Sequence, residues 1–209
     1  ASAIVMESGP GVSGFSVGDP ISVIPSFSLK EYGVYAEVAV VPAYAVVKRP
    51  KGLTAVEAAA VWMAYITAYG ALIDIAKISK GDTVIITAAS SSVGLAAIQI
   101  ANSVGAISIA TTRTSAKASA LKVAGAAHVV VTEEQDLVKS INTITNGKGA
   151  RIVFDPIGGQ GVDKLAQAMS PGGTLFQYGG LSLEPTMFPV ASAFMKGLSL
   201  RGYVLFEIL

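Results

Sequence analysis

From Ile86 to Ala101 the chain reads ITAASSSVGLAAIQIA, a strand-like run, three serines and an apolar helix-like run. Hydroxyls and free backbone N–H groups at the start of a helix favour an anion, and small side chains let it approach. A turn that holds a dinucleotide pyrophosphate commonly carries three glycines. Here Ala89, Ser91 and Gly94 occupy those places. All three are small, and the last, which sets helix-to-strand packing, is glycine. The candidate phosphate turn is therefore Ser90, Ser91, Ser92, Val93 and Gly94. The same residues also fit a plain strand-to-helix corner in which the serines serve as caps.

The end of the next strand bears on which dinucleotide would fit. An NAD site places a carboxylate there, about 20 residues after the turn, to hold the ribose 2′-OH. This chain reads ATTRTSAKAS, with Thr112, Arg113, Thr114, Ser115 and Lys117 and no carboxylate. Cations beside hydroxyls suit a 2′-phosphate, and cations near a helix start are disfavoured unless an anion is present. The expected cofactor is NADPH.

These residues need a scaffold that delivers strand ends to one edge. From Lys80 onward, apolar strands alternate with helical runs: DTVIITA, AISIATT, AHVVV, ARIVFDPIG, GGTLFQYGG and, last, LSLRGYVLF. Near-continuous apolar strands are expected where helices cover both faces. The alternation predicts an α/β fold, a doubly wound parallel Rossmann sheet of order 3-2-1-4-5-6 over residues 48–209. Residues 1–47 are rich in turn chemistry, as in ESGPGVSGFSVGDP, and alternate in YAEVAVV. They predict a small antiparallel β unit. Between them, LTAVEAAAVWMAYITAYGALIDIA predicts one helix and part of a second, with Thr54 as N-cap and Glu57 completing a capping box.

Composition narrows the function classes. The 209 residues are 52% hydrophobic and 14% charged with a net charge of +1, which argues against a nucleic-acid or lipid-binding surface. No cysteine and one histidine, His128, leave no thiolate or multi-histidine metal site. Apolar runs are interrupted before membrane-spanning length, and no leader is evident, so the expectation is a cytoplasmic protein with neither membrane nor nucleic-acid partner. Both ends fall in strand-like runs, ASAIVMESG and GYVLFEIL, so a fragment of a longer chain is expected.

The order GVSGFSVGD, YAEVAVVPA, WMAYITAYGAL, AASSSVGLAAIQIA, VFDPIGG and PGGTLFQYGGLS resembles the medium-chain dehydrogenase/reductase superfamily, and within it the zinc-free quinone oxidoreductase branch. The resemblance implies that residues 1–47 are part of a GroES-like catalytic domain. It implies that Thr67 faces the nicotinamide end and that Tyr65 lines the substrate pocket, both candidate catalytic residues. Zinc-containing relatives carry a ligand cysteine four residues before that threonine; here Met63 stands there, a poor ligand for catalytic zinc. The expected metal is none. The resemblance also implies that Thr132 lies near the adenosine phosphate. Ile157 and Gly158, and Tyr178, Gly179, Gly180 and Leu181, would border the nicotinamide half, their glycines letting backbone approach. Trp62 and His128 read as structural, and Asp155 as a strand-end cap.

The expected activity is that of an NADPH-dependent reductase of quinones or α,β-unsaturated carbonyl compounds. The alternatives are an NADP-dependent alcohol dehydrogenase, an enoyl-thioester reductase, or a nucleotide sensor without turnover; fold alone does not separate them. The apolar run Leu198–Phe206, at the sheet edge with only Arg201 as a charge, predicts a homodimer through that edge.

Overall fold

The computed structural model describes residues 1–28 and 30–209. Two compact units divide inside one helix: Ala1–Ile66 with Leu209, and Thr67–Ile208.

The first unit holds a three-stranded antiparallel sheet of β1 (Ser2–Ile4), β2 (Pro20–Val23) and β3 (Val46–Lys48), in that order. Its small core is Val23, Phe27 and Ala45, backed by Tyr32, Val34 and Val41. Phe27 and Tyr32 meet edge to face at 5.6 Å. The alternation at Tyr35–Val41 does not become a strand. No neighbouring strand offers it a ladder, and Tyr35, Val38 and Val40 stand exposed. A period of two makes a strand only where backbone groups find partners.

Helix α1 (Ala55–Tyr69) begins as expected. The Thr54 N–H donates to Glu57 Oε2 at 2.8 Å and the Glu57 N–H donates to Thr54 Oγ1 at 3.3 Å. It does not stop for a second helix but widens into π turns over Gly70–Ile75. The resulting 21-residue helix has the length and composition to cross a membrane, which corrects the expectation that every apolar run is too short. Its second half is packed nevertheless: Ala68, Ala71 and Leu72 are fully buried. A Cβ at Gly70 would collide with the Tyr203 hydroxyl and the Ile208 side chain.

The second unit is a six-stranded parallel sheet. Its strands are β4 (Thr83–Ile86), β5 (Ile107–Thr112), β6 (His128–Val131), β7 (Ala150–Asp155), β8 (Met169–Gln177) and β9 (Ser199–Gly202). The order β6-β5-β4-β7-β8-β9 is the doubly wound one expected from the sequence. Helices α2 (Ser92–Ser103), α3 (Ala118–Val123), α4 (Leu137–Ile144), α5 (Gly161–Gln167) and α6 (Val190–Lys196) connect the strands. Ile85, Ile109, Val130, Val153 and Leu175 form a buried row across the sheet, closed by Ile141, Val162 and Leu165. At the opposite edge from the site, Arg151 bridges Asp82 at 3.0 Å and donates to the Ala76 carbonyl at 2.8 Å, fixing where β4 begins.

The last strand is shorter than the apolar run that announced it. Tyr203 N–H still donates to Gln177 O at 2.9 Å. Val204 N–H then turns to Glu207 Oε1 at 3.2 Å, and Leu205–Glu207 forms a 3₁₀ turn instead of strand. Glu207 also pairs with Arg201 at 2.5 Å. The edge therefore carries two opposite charges, not the single arginine that sequence alone placed there. Burial and the nearby Glu207 carboxylate push the Tyr203 phenol up to about 12.

Candidate functional site

The carboxyl ends of β4, β5, β7 and β8 form the site, because all four strands run in one direction and stop at one edge. After β4 the chain passes Ala88, a non-glycine residue at φ 44°. This left-handed conformation is costly for a residue with a Cβ, and such strain clusters at functional turns. Ala89 is buried, and Ser91 caps α2 by accepting the Gly94 N–H at 3.1 Å. Leu95 N–H closes the first helical bond to Ser91 O at 2.9 Å. The N–H groups of Ser92 and Val93 have no intrahelical acceptor, as at any helix start. Gly94 has no room for a side chain: a Cβ would lie 2.6 Å from Ala89 O and 2.8 Å from Ala88 O.

Ser90 is exposed and its hydroxyl accepts from Lys117 Nζ at 3.3 Å, joining the first turn to the end of β5. Thr112 Oγ1 donates to Thr114 O at 3.1 Å, and Thr132 Oγ1 donates to Thr112 O at 3.3 Å. Thr112, Arg113, Thr114, Lys117, Thr132 and the serine turn are thus neighbours at one corner. The guanidinium of Arg113 makes no ion pair among the described residues. The expectation of an acid-free corner is corrected in one respect. No acid stands beside these cations in sequence, but Glu134, from beyond β6, accepts the Ser115 N–H at 3.3 Å. Strand adjacency brings in what a local reading of β5 omits.

At the end of β7, Asp155 is fully buried. It accepts from Thr87 Oγ1, from Ile157 N–H at 3.2 Å and from Gly158 N–H at 2.8 Å. It caps the strand as expected and ties it to β4. Gly158 and Gly159 follow at φ 71° and 67°, which only glycine adopts freely. The loop after β8 runs alongside: Tyr178 N–H donates to Asp155 O at 3.0 Å, Leu181 N–H to Pro156 O and Ser182 N–H to Ile157 O, both at 2.9 Å. Ile157, Gly158, Tyr178, Gly179 and Leu181 are brought together by this backbone ladder, with Gly180 exposed at its bend. Gly159 N–H is held by Thr186 Oγ1 at 2.7 Å, and Gln177 Nε2 donates to Gly179 O at 2.7 Å.

Tyr178 stacks on Phe154 with centroids 3.9 Å apart and ring planes 17° from parallel. Burial raises its phenol well above the ordinary tyrosine value, and the Asp155 carboxylate adds to the rise. The hydroxyl lies against Ser91, whose side chain offsets a little of that rise. It nevertheless meets no acceptor at good hydrogen-bond geometry among the described residues.

Thr67 is buried and belongs to the second unit; Tyr65, partly buried, belongs to the first, as does Met63, 46% exposed. Among the described residues no cluster of three His, Cys, Asp or Glu side chains is placed to hold a metal ion. Sequence reasoning missed Thr87, Glu134, Gln177 and Thr186. Each acts across strands, and only the strand order reveals its partner.

Residues 92–208 match the zinc-binding dehydrogenase family. The chain belongs to that family, within the medium-chain dehydrogenase/reductase superfamily. It is 33% identical over 203 residues to the mitochondrial enoyl-[acyl-carrier-protein] reductase of Rattus norvegicus, covering 95% of this chain and 53% of that one. An NAD-dependent alcohol dehydrogenase superposes with a TM-score of 0.88 at 32% identity, over 96% of this chain and 65% of that one. The Escherichia coli quinone oxidoreductase complexed with NADPH superposes with a TM-score of 0.80 at 25% identity, over 99% and 62%. The chain spans about half the length of the curated relatives it matches.

Proposed function

We propose that the parent protein is an NADPH-dependent oxidoreductase that reduces quinones or α,β-unsaturated carbonyl compounds without zinc, and that residues 67–208 hold its cofactor. The observation that carries the reading is the corner where Lys117 reaches Ser90 and Arg113 projects beside Thr112 and Thr114, next to the capped start of α2. The donor set fits a dinucleotide phosphate. Hydroxyls and two helix N–H groups suit the pyrophosphate, and two cations suit a 2′-phosphate. The similarity to a quinone oxidoreductase crystallised with NADPH supports it.

When bound, the cofactor supplies a hydride from its nicotinamide ring. The chain's residues do the rest. Ser90, Ser91, Ser92, Val93 and Gly94 form the pyrophosphate turn, and Arg113, Lys117, Thr114 and Thr132 hold the adenosine end. The ladder of Ile157, Gly158, Tyr178, Gly179, Gly180 and Leu181 fixes the nicotinamide end. Thr67 orients the ring, and Tyr65 is the candidate polarising hydroxyl for the acceptor oxygen. An acceptor already conjugated to a carbonyl needs no Lewis acid, and Met63 offers no thiolate to hold one. Such a protein would pair two copies through β9.

A second reading is NADH. Glu134 favours it, because a carboxylate near the second strand's end suits an unphosphorylated ribose, and an NAD-dependent alcohol dehydrogenase is among the neighbours. Titrating wild type and Arg113→Ala with both cofactors decides. A charge-assisted contact is worth about 1.5–3 kcal/mol, so the variant should lose at least about ten-fold in NADPH affinity and little for NADH. Equal losses, or tighter NADH binding by wild type, would contradict the 2′-phosphate assignment.

A further inference from the structure

A buried hydroxyl without an acceptor is expensive, and phenylalanine would fill the same space at no such cost. Tyr178 nevertheless keeps its hydroxyl in a site where the ring alone already stacks on Phe154 at 3.9 Å. The group stands at the junction of three strand ends. Its own backbone N–H is bound to Asp155 O at 3.0 Å, and its side chain reaches across β7 to Ser91 in the turn after β4.

Ser91 explains why a donor is useful there. A serine hydroxyl has one proton to give and two lone pairs to receive. One lone pair is taken by the Gly94 N–H at 3.1 Å. If the second is taken by a phenolic O–H, the serine proton has nowhere to go within the protein. It must point outward, toward whatever lies over the start of α2. We infer that Tyr178 is a positioning residue that fixes the polarity of Ser91: its hydroxyl donates to Ser91 Oγ, so that Ser91 presents a proton to the cofactor pyrophosphate.

Tyr178 does this from beneath, since its oxygen is buried and does not itself reach a ligand. Burial and the neighbouring Asp155 carboxylate keep the phenol protonated, so it remains a donor through the whole physiological range. Asp155 does not compete as an acceptor, because it is already engaged by Thr87 Oγ1, Ile157 N–H and Gly158 N–H. The inference rests on the dinucleotide reading of the serine turn and adds to it a second layer on a different strand.

The test is a double-mutant cycle on the chain, read by calorimetric titration with NADPH and by thermal melting. Tyr178→Phe keeps the stacked ring, so its melting temperature should stay at or above that of wild type. Its NADPH dissociation constant should rise about five-fold. Ser91→Ala should weaken binding as well, and Tyr178→Phe should then add nothing, because its effect passes through a hydroxyl that is gone. Unchanged affinity in Tyr178→Phe overturns the inference, and so does an equal loss in the presence and absence of the Ser91 hydroxyl. A wild-type chain that binds neither NADPH nor NADH overturns the dinucleotide reading and this inference with it. Wild-type binding with an indifferent Tyr178→Phe overturns only the inference.

Discussion

Gly94→Ala is the sharpest perturbation of the serine turn. The added methyl would lie 2.6 Å from Ala89 O, 2.7 Å from Ala89 Cα and 2.8 Å from Ala88 O. All three are backbone atoms on a turn already strained at Ala88, so no rotamer change relieves them. Ordinary overpacking in a core costs about 1–3 kcal/mol, and rigid backbone neighbours place this site toward the upper end. In a helix interior alanine would otherwise be favoured over glycine by about 1 kcal/mol, so the net loss should be about 2 kcal/mol. For a chain of this size that is a fall in melting temperature of about 4–8 °C. Relief can come only by sliding α2 away from the turn, which also moves the Ser92 and Val93 N–H groups. NADPH affinity should therefore fall together with stability. Gly161→Ala is the control: it opens α5, and a Cβ there meets nothing within 4 Å. Differential scanning calorimetry and titration on both variants make the comparison. A Gly94→Ala protein that melts like Gly161→Ala and binds NADPH like wild type would refute the packing argument.

The same geometry sets further outcomes. Thr87→Val keeps the shape but removes the hydroxyl donor from a buried Asp155, so urea denaturation should show a loss of about 1–3 kcal/mol; a wild-type midpoint would show that the pair contributes nothing. The Glu57 carboxyl is held below the usual glutamate value by the Thr54 backbone N–H and then by its hydroxyl. A lowered pKa gives stability that is present above the ordinary glutamate value and lost as pH falls through the lowered one. Thr54→Ala should therefore be less stable than wild type at neutral pH, and the gap should narrow in acid, as melts at both pH values would show. Tyr203 N–H faces β8, so alternation turns the Gly202 N–H outward along the free edge of β9. Gly202→Pro should weaken self-association in sedimentation without disturbing the β8 pairing; a dimer as tight as wild type would place the interface elsewhere.

The parallel sheet was legible in the sequence because its signal is long-range and repeated. Strands such as Thr83–Ile86 and Ala150–Asp155 are apolar throughout their buried length, and each is followed by a helix of its own. The capping box at Thr54 and the packing role of Gly94 were legible because each needs only near neighbours in the chain. What escaped was set by partners distant in sequence. Tyr35–Val41 alternates like a strand but has no ladder to join. The run after Gly202 is apolar enough for a strand, yet Glu207 folds it back onto Val204 and Arg201. Glu134 stands 19 residues from Ser115 and meets it only because β6 lies beside β5. The aromatic ring of Tyr178 is visible in the sequence, but its position beneath Ser91 depends on β7 and β8 ending side by side.

The central claim is that the strand ends of the second unit hold a phosphorylated nicotinamide dinucleotide. Calorimetric titration of the chain with NADPH, and separately with NADH, tests it most directly. The expected result is saturable binding of one NADPH per chain, tighter than NADH by about ten-fold or more. Absence of heat and of competition by either dinucleotide would contradict the claim.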